Sequence, residues 1–325
     1  TLYNEPTGLT ILGLDGCTWE IIDLLIERGD LPGFKALKEK GSWGSLETFI
    51  PTESVSIWTS IATGVTPTVH QVQTFTRRIP GTDSHVPIPG SERQVPAIWN
   101  IASESERSVV VAKWFATWPA EIVKGAMLSP RLEANDSEPR TYPRELFAEI
   151  DQFRHLSTMD ELPQPPARNK GMPYPMKPEK ERDKNAPPML IGTSQINETM
   201  FDDTSVWQAA WYTYQKYLPE LFMVYLKSTD RVEHFLWGAH KVQNPGKGQA
   251  AEAEAIYGWY RYYDGLIQEL LKDPNRILMV VSDHGMSSKS DIPDPYFIWD
   301  IDFDDILKEL GYLKKTGTGT DWTNT

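Results

Sequence analysis

Short, wholly apolar runs separated by long amphipathic stretches constrain this chain most. They are LTILGL at 9–14, SVVVA at 108–112, LFMVYLK at 221–227 and ILMVVS at 277–282. Runs this short without polar alternation suit strands buried on both faces. Between them lie helical patterns: one through Ile21, Ile22, Leu24, Leu25 and Ile26, stopped by Gly29 and Pro32, and others at 33–40, 53–63, 95–105, 205–217 and 249–272. Strands alternating with helices predict an α/β fold, a three-layer αβα sandwich around a mostly parallel sheet. In such sheets ligands bind at the carboxyl ends of the strands.

Three of the runs end in residues that carry chemistry. The first delivers Asp15-Gly16. The third leads into Asp230, with His234 four residues on, a spacing that puts both on one face of a helix. The fourth ends in Asp283 and His284. Carboxylates and imidazoles at one sheet edge are the donors that bind divalent cations. Ser54, at the start of the 53–63 helix, stands where free N–H groups and the helix dipole favour an anion. Singly, these features have plainer readings as a turn, a helix cap or a packed histidine. Their shared position carries the argument.

Composition narrows the function. The net charge of −13 argues against a protein that holds duplex nucleic acid by its phosphates, and leaves a small anionic substrate open where bound metal reverses the local field. Cys17 is the only cysteine, so neither an intramolecular disulfide nor a thiolate cage is available, which fits a reducing compartment such as the cytoplasm. No apolar run is long enough for a transmembrane helix. From about 131 to 204 prolines and lysines accumulate. The expected division is therefore a catalytic core of 1–130 and 205–325, interrupted by an insertion or cap at 131–204.

The order LGLDG, PT-x-S, TG-x-x-P-x-x-H, D-x-x-x-H and SDHG, with PAIWNI and WFATWPAE between, resembles the type I phosphodiesterase and nucleotide pyrophosphatase branch of the alkaline phosphatase superfamily. The resemblance covers about 8–130 and 205–290. It implies metal-dependent hydrolysis of phosphate mono- or diesters through a phosphoseryl intermediate on Ser54, with two divalent ions, Zn²⁺ or alternatively Mn²⁺. Asp15, Ser54, Asp283 and His284 would hold one metal. Asp230 and His234 would hold the other, with a third ligand from a downstream histidine, while His70 matches a structural histidine. No histidine follows His284 in this sequence, so the expectation is that the core continues past residue 325, that His240 or another group fills in, or that this second site is weak. Nucleotide pyrophosphatases usually carry Thr at the nucleophile and a nearby Asn. Here the nucleophile position is Ser54 and 55–80 hold no Asn, which leaves Arg77 or Arg78 as a charged clamp. Rival readings are a superfamily phosphotransferase or mutase, a sulfatase-like hydrolase (Ser54 lacks the x-P-x-R context that enzyme needs), and a degenerate metal-binding or interaction protein.

Overall fold

The strand Gly8–Leu14 (β1) lies inside a six-stranded sheet and carries the first acidic residue to its carboxyl edge. The computed structural model describes residues 7–82, 84–132, 137–155, 189–241, 247–287, 303–316 and 319–320. After β1 come helices α1 (Trp19–Glu27), α2 (Pro32–Lys40), α3 (Ser54–Thr63) and α4 (Pro67–His70), then a small hairpin, β2 (Thr76–Arg78) and β3 (His85–Pro87). Helix α5 (Ile98–Glu104) precedes β4 (Val109–Ala112), β5 (Gly125–Leu128) and β6 (Thr141–Tyr142). Helices α6 (Leu146–Ile150) and α7 (Met189–Tyr217) lead to β7 (Leu221–Leu226), α8 (Ser228–His240), α9 (Lys247–Leu270) and β8 (Arg276–Val281). A last helix, α10 (Phe303–Glu309), and a short hairpin, β9 (Lys315–Thr316) and β10 (Gly319–Thr320), follow.

The sheet order is β6-β5-β4-β7-β1-β8, with β6 antiparallel to β5 and every other pairing parallel. Helices pack on both faces, as the alternation of runs requires. Leu12, Leu14, Phe222, Val224 and Leu226 point into the layer of α1, α7, α8 and α9, while Ile11, Val109, Val111, Met223 and Tyr225 point toward α3 and α5. Gly13 is needed under α3: a Cβ there would lie 2.7 Å from the Trp58 ring. Among the described residues no helix is long and apolar enough to cross a membrane.

The expected insertion boundary at 131 shifts. Strand β6 is an edge strand of the central sheet, and Leu146 and Ile150 of α6 are buried in the core layer beneath α7. Their apolar spacing is too short to register as a period, so sequence texture alone assigns them to the insertion. Residues 156–188 lie outside the described residues.

Candidate active site and metal centre

Strand β1 and helix α8 bring the first two acids together. Beyond Leu14, Asp15 keeps the sheet register for one more bond, its N–H donating to the Leu226 carbonyl at 2.9 Å. Gly16 then turns the chain with φ +70°, which a side chain adopts only at a cost. The Asp15 carbonyl accepts from the Asp230 N–H at 3.1 Å and from the Thr229 hydroxyl. The start of α8 is held by Asp203 of α7, whose carboxylate accepts from the N–H groups of Lys227 (3.2 Å) and Ser228 (2.8 Å). Asp283 reaches the same edge from β8 and accepts from the Gly16 N–H at 3.4 Å. Ser54 is the first residue of α3, whose Ser56 and Ile57 N–H groups donate to the Glu53 carbonyl, so its hydroxyl sits at the helix N-terminus beside the N–H groups of Ser54 and Val55.

These groups converge on one atom. His284 Nε2 lies 3.2 Å from Ser54 Oγ, 3.4 Å from Asp15 Oδ1, 3.5 Å from Asp283 Oδ2 and 3.9 Å from Asp230 Oδ1. The other ring nitrogen, Nδ1, is 2.9 Å from the Gly285 carbonyl, which can only accept. Nδ1 therefore carries the proton in the neutral ring, and the Nε2 lone pair faces the carboxylates.

Two carboxylate oxygens at this point, Asp15 Oδ1 and Asp283 Oδ2, are buried without a hydrogen-bond partner among the described residues. Each residue is only 2% exposed. Burial, and then the Asp283 and Asp230 charges, push the Asp15 carboxyl well above the usual carboxylate range. Asp283 is raised chiefly by burial. Anionic oxygens and a lone pair aimed at one another without a donor are unfavourable unless a cation joins them. Asp15, Asp283 and His284 offer ligand atoms within 4.8 Å of one another, so the donor set fits a divalent metal.

All six sequence-derived site residues reach this edge, in two groups. Ser54, Asp15, Asp283 and His284 surround one position. Asp230 stands between that position and His234, whose Nε2 is 3.2 Å from Asp230 Oδ1 and whose side chain is 62% exposed. The bond to Asp230 raises the His234 pKa. His240 does not join them: its Nε2–H donates to Glu20 Oε1 at 3.0 Å, and its Nδ1 accepts from Tyr257 at 2.9 Å. Arg77 of β2 pairs with Glu92 at 2.5 Å. His70 is fully buried; Nδ1 accepts from the Val72 N–H (3.1 Å), leaving Nε2–H for Ser60 Oγ (2.9 Å), a structural role.

Sequence reasoning missed the donors behind Asp15. Its Oδ2 accepts from the Tyr225 hydroxyl at 2.5 Å and from Trp58 Nε1 at 3.4 Å. Trp58 lies four residues after Ser54 on α3, and that i,i+4 spacing was the available signal. Beyond Tyr225, a recess of about 80 Å³ opens along the carboxyl edge, lined by Lys113, Phe115, Pro130, Asp203, Val206 and Lys227.

The family model for type I phosphodiesterase / nucleotide pyrophosphatase matches residues 9–317, nearly the whole sequence. The chain belongs to that family. No curated protein matches this phosphodiesterase-family chain by sequence. Among solved structures it is similar to phosphonoacetate hydrolase from Sinorhizobium meliloti 1021, in complexes with phosphonoformate and with phosphonoacetate. Both align with a TM-score of 0.51 and 18% identity over 94% of this chain and 62% of the hydrolase. That likeness is one of fold. This family member therefore spans less than two thirds of the length of the structures it matches.

Proposed function

We propose that this chain hydrolyses phosphate mono- or diesters, with Ser54 as nucleophile and two divalent cations, Zn²⁺ or Mn²⁺, as cofactors. The observation that carries the reading is the meeting of Ser54 Oγ with His284 Nε2 (3.2 Å) beside two buried carboxylate oxygens that have no hydrogen-bond donor among the described residues. Asp15, Asp283, His284 and Ser54 would hold one cation, and Asp230 with His234 would contribute to the second. Bound there, the cations supply positive charge that offsets the carboxylates, lowers the Ser54 pKa and steadies the departing alkoxide.

The chain's own groups do the rest. Ser54 gives up its hydroxyl proton as Oγ bonds to phosphorus; the ester P–O bond breaks and the departing oxygen takes up a proton to leave as the alcohol, with the phosphoryl group on Ser54. Water then cleaves the Oγ–P bond, returning a proton to Oγ, and releases phosphate from a monoester or a phosphomonoester from a diester. At the start of α3 the Glu53 carbonyl takes the N–H groups of Ser56 and Ile57, so those of Ser54 and Val55 would meet the phosphoryl oxygens as negative charge builds. Tyr225 and Trp58 hold Asp15 from behind and keep its other oxygen turned to the reacting centre. Family membership supports phosphoester chemistry over a role as an inert binding module.

The test is hydrolysis of para-nitrophenyl phosphate and of its bis(para-nitrophenyl) diester after reconstitution with Zn²⁺ or Mn²⁺, together with acid-quenched labelling of Ser54. Turnover by the wild type with phosphate trapped on Ser54 is expected. Activity surviving in Ser54→Ala would mean that hydroxide attacks phosphorus directly, and no turnover on either ester would remove the hydrolase reading.

A further inference from the structure

Three tyrosines recur every third residue on α9 and turn buried hydroxyls toward α8: Tyr257, Tyr260 and Tyr263, exposed by 5%, 0% and 0%. The two helices run antiparallel, so the stripe meets α8 from its last turn to its first. Tyr257 donates to His240 Nδ1 at 2.9 Å, far from the acidic edge. Tyr263 accepts from the Ser228 N–H at 3.1 Å and donates to Asp203 at 2.6 Å, at the first turn. Tyr260, between them, does something neither neighbour does. Its hydroxyl donates to Glu233 Oε1 at 2.7 Å and accepts from the Thr18 N–H at 3.1 Å. It therefore touches both segments that carry acidic site residues: the loop after β1, three residues past Asp15, and the helix turn that holds Asp230 and His234.

We propose that Tyr260, acting through Glu233 and the Thr18 amide, is a positioning residue that sets the distance between Asp15 and the Asp230–His234 pair. This rests on the reading of those side chains as cation ligands. Glu233 is fully buried, Oε2 has no partner among the described residues, and Oε1 takes the Tyr260 hydroxyl. Without that hydroxyl, the Thr18 N–H and the Glu233 carboxyl both lose a buried partner. The cheapest relief is for the loop and α8 to separate until water reaches them. Asp15 and Asp230 ride on those two segments, so separation spoils the spacing of their free oxygens. The Thr229 hydroxyl and the Asp230 N–H, both bonded to the Asp15 carbonyl, and the Cys17–Thr229 contact also cross this seam; the two bonds to Asp15 lie on the site side.

Tyr257 supplies the internal control, since it makes the same kind of buried bond between the same helices at the end away from the site. On chelator-stripped full chain, Zn²⁺ affinity is measured by calorimetry, and the visible absorption of bound Co²⁺ reports ligand geometry. Tyr260→Phe is expected to weaken metal binding by roughly tenfold or more and to alter the Co²⁺ spectrum. Tyr257→Phe is expected to cost comparable urea stability with metal affinity within about twofold of wild type, as expected for a bond remote from the ligands. Glu233→Gln should keep the affinity because its amide oxygen still accepts from Tyr260, whereas Glu233→Leu should reproduce the tyrosine variant. That second pair reads the same tie should Tyr260→Phe fail to fold. Wild-type affinity in Tyr260→Phe and Glu233→Leu, or equal weakening by Tyr257→Phe, overturns the proposal. A wild-type chain that binds neither Zn²⁺ nor Co²⁺ overturns the cation reading beneath it.

Discussion

Replacing Gly16 by alanine tests the seam between β1 and α8 most directly. A Cβ on Gly16 would stand 2.9 Å from Asp230 Cα and 3.0 Å from Asp230 Cβ, closer than such atoms approach, and the obstacle is backbone that cannot rotate aside. The residue also has φ +70°, where a side chain costs about 1 kcal/mol. Forcing a methyl group into a packed contact adds about 1–3 kcal/mol. Together they give about 2–4 kcal/mol of lost stability, with the Asp15 loop and Asp230 pushed apart. Gly64→Ala is the reference, since Gly64 has φ +71° but no atom within 4 Å of the new methyl. It should lose only the backbone part, about 1 kcal/mol. Urea denaturation of both variants in chelator gives the difference, and Zn²⁺ titration gives its consequence at the site. Equal losses in the two variants, with metal affinity unchanged in Gly16→Ala, would refute the idea that loop and helix are in hard contact there.

Ser54→Ala should reduce ester hydrolysis by at least about 10³-fold while retaining most bound metal, because it removes the nucleophile and only one ligand; steady-state assays beside elemental analysis check both. Zn²⁺ at about 100 times its Kd should stabilise the stripped wild type by about 2.7 kcal/mol in urea, and Asp283→Asn should abolish that gain. His70 sets an acid-side slope. Burial depresses its folded pKa below the ordinary 6.5, so as pH falls past 6.5 the unfolded chain takes up a proton that the folded ring refuses. Stability is then lost down to the folded pKa. In denaturation series across pH, His70→Gln should flatten that limb even as it lowers stability at pH 8, and an unchanged slope would assign the limb to other groups.

The layered fold was legible because its strands are long enough in apolar residues to stand out: Leu9–Leu14 and Leu221–Leu226 read as buried strands and pair in parallel register. Strand β5, with only Gly-Ala-Met-Leu, and β6, with two residues, carry too little pattern to separate from loop. Asp15, Asp230, Asp283 and His284 were legible because each closes such a run or follows it closely. Ser54 was legible as a helix start. The supports were not. Tyr225 reads as one more apolar position on a strand, and Glu233 as one charge among many on α8. That a hydroxyl meets Asp15 across 210 residues of sequence, or that Tyr260 joins Thr18 to Glu233, depends on tertiary placement that local periodicity does not encode.

Asp15 and Asp283 each have one oxygen already spoken for. Tyr225 and Trp58 occupy Oδ2 of Asp15, and the Gly16 amide occupies Oδ1 of Asp283. Each carboxylate turns its other oxygen toward His284 Nε2, and a cation held as proposed would find one readily offered oxygen on each. A cation that fills its shell with six to eight oxygens, as calcium does by recruiting both oxygens of a carboxylate, meets too few donors here. An ion content with four or five ligands, one of them nitrogen, loses nothing. Were a cation held there as proposed, the choice between ions would be shaped from outside its coordination sphere, by a phenol, an indole and one peptide N–H.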